Sequence, residues 1–162
     1  MTGSRMAIIA GAVLVLGAVN FSIVGKEDIK RNGEVVYLDL APIDPRSIMQ
    51  GDYMALRFRL AQEIERSMTA SGSAPRDGER RLAPITLDDR RIASLAKPGA
   101  SSSLAIRYHL RKGAIWLGTN AFFFEEGTEA RYAAARYGEF RVDPASGEAV
   151  LVGLRDARLK PL

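Results

Sequence analysis

The chain has 162 residues, with 23 basic and 19 acidic side chains and a formal charge of +4, and its length fits one ordinary domain. It contains no cysteine and one histidine, which excludes disulfides, thiolate metal sites and cysteine nucleophiles and leaves a transition-metal site short of ligands. So modest a positive surplus permits contact with anionic lipid headgroups without demanding it.

Met6 to Val24 (MAIIAGAVLVLGAVNFSIV) carries no charge and only two polar side chains, Asn20 and Ser22. As a helix it would span roughly 28 Å, close to the hydrocarbon core of a bilayer. Arg5 and Lys26 flank it and can reach the headgroups from either end. The competing reading is a cleavable signal peptide. Its apolar region would be long against the usual run of about 7–15 residues, and neither Ala18-Val19-Asn20 nor Ile23-Val24-Gly25 makes a good small-x-small cleavage site. The chain therefore divides into an anchor over residues 1–25 and a domain over residues 26–162. For orientation, Lys26, Lys30 and Arg31 outweigh Arg5, which favours the C-terminal side inside. A short tail before a large domain favours export, since long domains translocate largely regardless of charge.

Lys26 to Gly33 reads as a polar link that turns at Asn32-Gly33. Glu34 to Leu40 has strand composition, and Pro42 and Pro45 break it. Gly51-Asp52 turns the chain into a second strand, Tyr53 to Leu60, with Met54, Leu56, Phe58 and Leu60 on one face. A short helix follows from Ala61 to Met68, exposing Gln62, Glu63, Glu65 and Arg66. The Ser-, Gly- and Pro-rich stretch from Thr69 to Arg81 reads as a mobile loop. Beyond it a β-meander is expected over Ala83 to Leu87, Arg91 to Ala96, Leu104 to Leu110 and Ala114 to Leu117. Its third strand points Leu104, Ile106, Tyr108 and Leu110 inward and Arg107 and His109 outward. After FFFEEG (Phe122 to Gly127) comes a short helix near Thr128 to Arg136, with Thr128 as its N-cap. Two closing strands, Gly138 to Val142 and Ala149 to Leu154, flank the turn Asp143 to Gly147. The fold class is mainly β (α+β): a small antiparallel domain with one or two short helices on an N-terminal transmembrane helix.

Few motifs carry chemistry. His109 lies on a polar strand face and has no partners that would make it a metal ligand or triad member, so no metal or cofactor is expected. A serine–lysine protease is weighed at Ser47 to Asp52 and rejected, because neither Lys97 before Pro98-Gly99 nor Lys112 in a turn looks buried enough to act as a base. Glu125 and Glu126 adjoin three phenylalanines, but neighbours on an extended segment point in opposite directions and at most one can face a cleft. Phosphate-binding glycine loops are absent, and the arginines form no compact basic stripe, so nucleic acid is not an expected partner. Two groups of residues stand out. One is an elbow of Asp44, Arg46, Gly51, Asp52, Tyr53 and Leu56; the other is Glu125, Glu126, Arg136, Tyr137 and Glu139. The elbow reads either as a β-turn that sets two strands in register or as the border of a groove for a ligand or partner. A hydrolase would need Asp52 to converge with Glu125 or Glu126.

The apolar N-terminus, APIDPRSIMQGDYMALRF and the block from Asn120 to Asp156 together resemble the GDYXXLXY family of membrane-anchored bacterial proteins. Gly51, Asp52, Tyr53 and Leu56 match its motif, whose final tyrosine is Phe58 here. That change removes a hydroxyl and shifts the position from chemistry toward packing. The resemblance implies a domain on the periplasmic side of the bacterial inner membrane. It also implies relatives encoded beside, or joined to, polytopic membrane proteins. An accessory, non-enzymatic domain that binds an integral membrane protein is therefore expected, and the resemblance supplies no catalytic residues.

Overall fold

A computed structural model describes residues 2–41, 49–50, 53–72, 76–100, 102 and 104–162. Helix α1 (Thr2–Asn32) holds the apolar segment, and its residues from Met6 to Val24 are exposed. From Met6 onward it is long and apolar enough to cross a membrane. The helix does not stop at Val24. The expected polar link is helical through Asn32, where the Asn32 amide donates to Asp28 one turn back. Gly33 follows, its amide donating to Ile29 O at 2.8 Å, and a Cβ there would have no room beside Ile29 O and the backbone of Val142.

The domain is mainly β, and its sheets are antiparallel. One sheet has the order β1 (Glu34–Asp39), β9 (Tyr137–Val142), β10 (Ala149–Arg155). A second joins β2 (Met49–Gln50), β3 (Tyr53–Ala55) and β8 (Ala121–Phe123). The third has the order β5 (Ala93–Leu95), β4 (Arg80–Leu87), β6 (Leu104–Arg111), β7 (Ala114–Trp116). This last order corrects the expected meander, because β6 pairs with β4 and leaves β5 at the edge. The burial pattern of β6 alternates as the sequence implies, with Leu104, Ile106 and Tyr108 buried.

The second expected strand is cut short. Met54, Leu56, Phe58 and Leu60 are all buried, but β3 ends at Ala55 and helix α2 (Arg59–Ser71) starts at Arg59. Leu60 thus reaches the core from a helix, packed beside Ile64 one turn later. Helix α2 also takes in the first part of the expected loop. Glu63 accepts the Leu95 amide at 2.9 Å, and Glu65 accepts the Ile115 amide at 3.3 Å. These two carboxylates cover backbone donors on β5 and β7, the two edges of the third sheet. The second short helix, α3 (Glu129–Tyr132), is a single turn that leaves out Arg136. Thr128 precedes it without a side-chain cap, and its hydroxyl donates to Glu125 O.

The sheets meet over one core. Val36, Leu38, Phe140 and Val142 line its side on the first sheet, facing Phe58, Leu60, Ile85 and Ile106. The ring of Phe58 meets that of Phe140 edge-on at 5.3 Å. Gly138 makes room for the pair, since a Cβ there would stand 3.0 Å from both rings. The Asp143–Gly147 turn holds its shape through Asp143, which accepts the Ala145 and Ser146 amides and the Ser146 hydroxyl. That turn folds back beside the end of α1, where Lys26 forms an ion pair with Glu148.

Candidate functional site

Tyr53 and Leu56 are the elbow residues that the structure describes. Asp44, Arg46, Gly51 and Asp52 lie outside the described residues. Leu56 is a core residue whose amide donates to Asn120 O at 2.7 Å. Tyr53 stands opposite Phe123 in the β3–β8 pairing, with ring centroids 5.9 Å apart. This pairing brings together two stretches nearly seventy residues apart in the chain, the motif strand and the Phe122–Glu126 segment. The Phe123 ring is 75 % exposed. Its neighbours Phe122 and Phe124 turn inward against Tyr132 of α3, at 5.1 and 5.4 Å. The segment therefore presents Phe123 beside Tyr53 on its exposed side and packs Phe122 and Phe124 against Tyr132 on the other.

The second group of residues does not form one cluster. Glu125 and Glu126 are exposed. Glu139 is buried, at 7 % exposure, and is the only buried charged residue among those described. Both its position and its chemistry are accounted for: it lies opposite Tyr37 on the outer face of the first sheet, and the Arg155 guanidinium pairs with its carboxylate. Tyr137 is overlaid by the Arg90 guanidinium at 5.9 Å from the ring centroid. Arg136 takes part in the backbone ladder, accepting from Leu40 and donating to Arg155 O, while its side chain is exposed. His109 tilts over Trp116 with centroids 6.2 Å apart. Among the described residues no three metal-ligating side chains gather in one place.

Sequence reasoning missed a hollow of about 370 Å³ at the Tyr137 end of the first sheet, lined by Ala134, Arg136, Asp156, Ala157, Arg158 and Lys160. The Asp156 carboxylate accepts the amides of Lys160 and Arg158, at 2.9 and 2.8 Å. Those amides, that of Lys160 foremost, hold its carboxyl below the usual range, helped by the two nearby cations. The signal was present in the chain as Arg-Asp-Ala-Arg-Leu-Lys, Arg155 to Lys160. Nothing in that run announces that it folds against Arg136.

Fold and site together define a small antiparallel β domain behind an N-terminal helix long enough to cross a membrane, with an aromatic pair built on its motif strand. The family model of the GDYXXLXY protein matches residues 15–154, and the chain belongs to that family. No curated protein and no solved structure matches it.

Proposed function

We propose that this is an accessory domain, anchored in a bacterial inner membrane by α1 and held on the periplasmic side, that binds an integral membrane protein. The observation that carries this reading is Phe123. A large aromatic ring, 75 % exposed on an edge strand and flanked by Tyr53 of the family motif, is the kind of anchor that partner surfaces cover. The buried carboxylate Glu139 is committed to Arg155, which favours a binding role over an acid–base one. The apolar anchor confines the domain to a surface where membrane proteins are its nearest neighbours.

The test places a photo-crosslinking phenylalanine analogue at Phe123, and in a second strain at the exposed Lys97. The expected result is a crosslink to a protein with several membrane spans from position 123 and none from position 97. Phe123→Ser should lower co-purification of that protein about tenfold or more, the loss typical of an aromatic anchor. A protein recovered without any polytopic partner from both positions overturns the reading.

A further inference from the structure

The Asp143–Gly147 turn sets how close the domain stands to the bilayer. The turn and α1 share a hollow of about 520 Å³, lined by Phe21, Ser22 and Lys26 on the helix and by Asp143, Pro144 and Glu148 across from it. Phe21 and Ser22 belong to the apolar segment, which ends at Val24, and Lys26 is two residues beyond it. The turn is therefore level with the boundary between hydrocarbon and headgroups. Side chains of the third sheet are tied to that turn. Arg107 N donates to Gly147 O at 2.6 Å, and the Arg107 guanidinium donates to Ser146 O at 2.7 Å. The same guanidinium stands 3.8 Å from Glu148, the acid that pairs with Lys26. Leu82 is opposite Arg107 in the β4–β6 register and lies against Gly147, where a Cβ would meet its Cδ2. Arg80 shares a face of β4 with Leu82, and the charges of Arg107 and Arg80 both reach Lys26. Leu82 is 55 % exposed. Arg80 is exposed too, and among the described residues it forms no ion pair.

We infer that Leu82, Arg80 and Arg107 form a surface that rests among the headgroups of anionic phospholipids beside α1. The inference rests on the membrane anchor proposed above, and it holds whichever side of the membrane the domain occupies. Depth is the first reason for this occupant. At the level where the apolar segment gives way to Lys26, an exposed side chain of the domain has lipid headgroups for neighbours. Composition is the second. An apolar side chain between two arginines suits a layer that offers methylene groups below and phosphates alongside. Charge is the third. β4 and β6 contain no acidic residue. The acids near the turn are engaged within the protein: Glu148 with Lys26 and Arg107, Asp143 with the amides of its own turn, and Asp28 with the Asn32 amide. Arg80 is left facing outward, where lipid phosphate supplies the charge-assisted partner.

The test uses the full chain reconstituted in phosphatidylcholine vesicles, a small fixed share of whose lipid carries a nitroxide on its headgroup. The chain has no cysteine, so Leu82→Cys and, separately, Arg158→Cys each take a single fluorophore. Arg158 follows β10 at the end of the first sheet remote from the Asp143–Gly147 turn. The Leu82 probe is expected to be quenched several-fold more than the Arg158 probe. Replacing part of the phosphatidylcholine by phosphatidylglycerol should increase quenching at Leu82, by an amount that shrinks as salt rises. Arg80→Gln should remove roughly half or more of that increase. Lys160→Gln, which removes one charge at the far end, should leave it unchanged. Equal quenching at the two positions overturns the inference. So does a phosphatidylglycerol effect that is absent, or that the two glutamine variants lose equally. In cells, a photo-crosslinking phenylalanine analogue at Leu82 should capture no discrete protein; a protein adduct there overturns the inference in favour of a protein occupant. A chain that does not float with vesicles loses its anchor, and this inference with it. One that floats with the Leu82 probe unquenched keeps its anchor and loses only this surface. The integral membrane partner is decided separately, by the crosslink from Phe123.

Discussion

At Phe58 the chain departs from its family motif by one hydroxyl, and the surroundings of the ring explain why the apolar residue fits. The ring is 2 % exposed, meets Phe140 edge-on, and leaves Gly138 no space for a side chain. A phenol there would have to bury its hydroxyl among apolar neighbours. Phe58→Ala should destabilise the domain by about 3–5 kcal/mol, read as a lower midpoint in urea unfolding with the chain held in micelles. A loss under about 1 kcal/mol would mean that the site is not packed as described. Leu56 and Phe58 were legible in the sequence as inward-facing residues, although of Tyr53, Leu56 and Phe58 only Tyr53 lies in β3. The partner that Tyr53 meets was not legible, because the pairing with Phe123 joins two stretches far apart in the domain and leaves no local trace.

Among the elements, α2 shows how a correct pattern can belong to the wrong structure. Met54, Leu56, Phe58 and Leu60 keep an alternating rhythm, and all four are buried. The last of them is reached by a helix, since Leu60 and Ile64 stand one turn apart and both face the core. A period of two and a period of 3.6 agree over so short a run, and the switch at Arg59 cannot be read from spacing alone. The polar face of α2 has its own task in Glu63 and Glu65, which the sequence offers as solvent-facing charges. They accept amides from both edges of a sheet. Glu63→Ala should cost about 1 kcal/mol and speed hydrogen exchange at the Leu95 amide, with little effect at Ile115. Unchanged exchange at Leu95 would show that the carboxylate does not cover that edge. The order of the third sheet follows the same lesson: β4 has two partners, and its pairing with β6 rather than a simple meander is a choice among similar strands.

At the scale of the whole molecule, the turn Asp143–Gly147 lies beside the end of α1, and Tyr137 stands at the far end of β9, roughly 17 Å away at the usual strand rise. The Arg136 hollow therefore lies at the end of β9 remote from the Asp143–Gly147 turn. An alkaline phosphatase fusion after Leu162 should be active in cells if the domain is periplasmic, and an inactive but stable fusion would reverse the topology. By itself the sequence determined the apolar helix, the mainly β character, the inward faces of the longer strands and the family, because each rests on composition or on short-range periodicity. Only the tertiary structure decided that the motif strand lies against Phe123, that Glu139 is held by Arg155, and that three cations surround one hollow. Those features depend on which distant strands pair, and pairing is settled by the packing of the whole core rather than by any one stretch of chain.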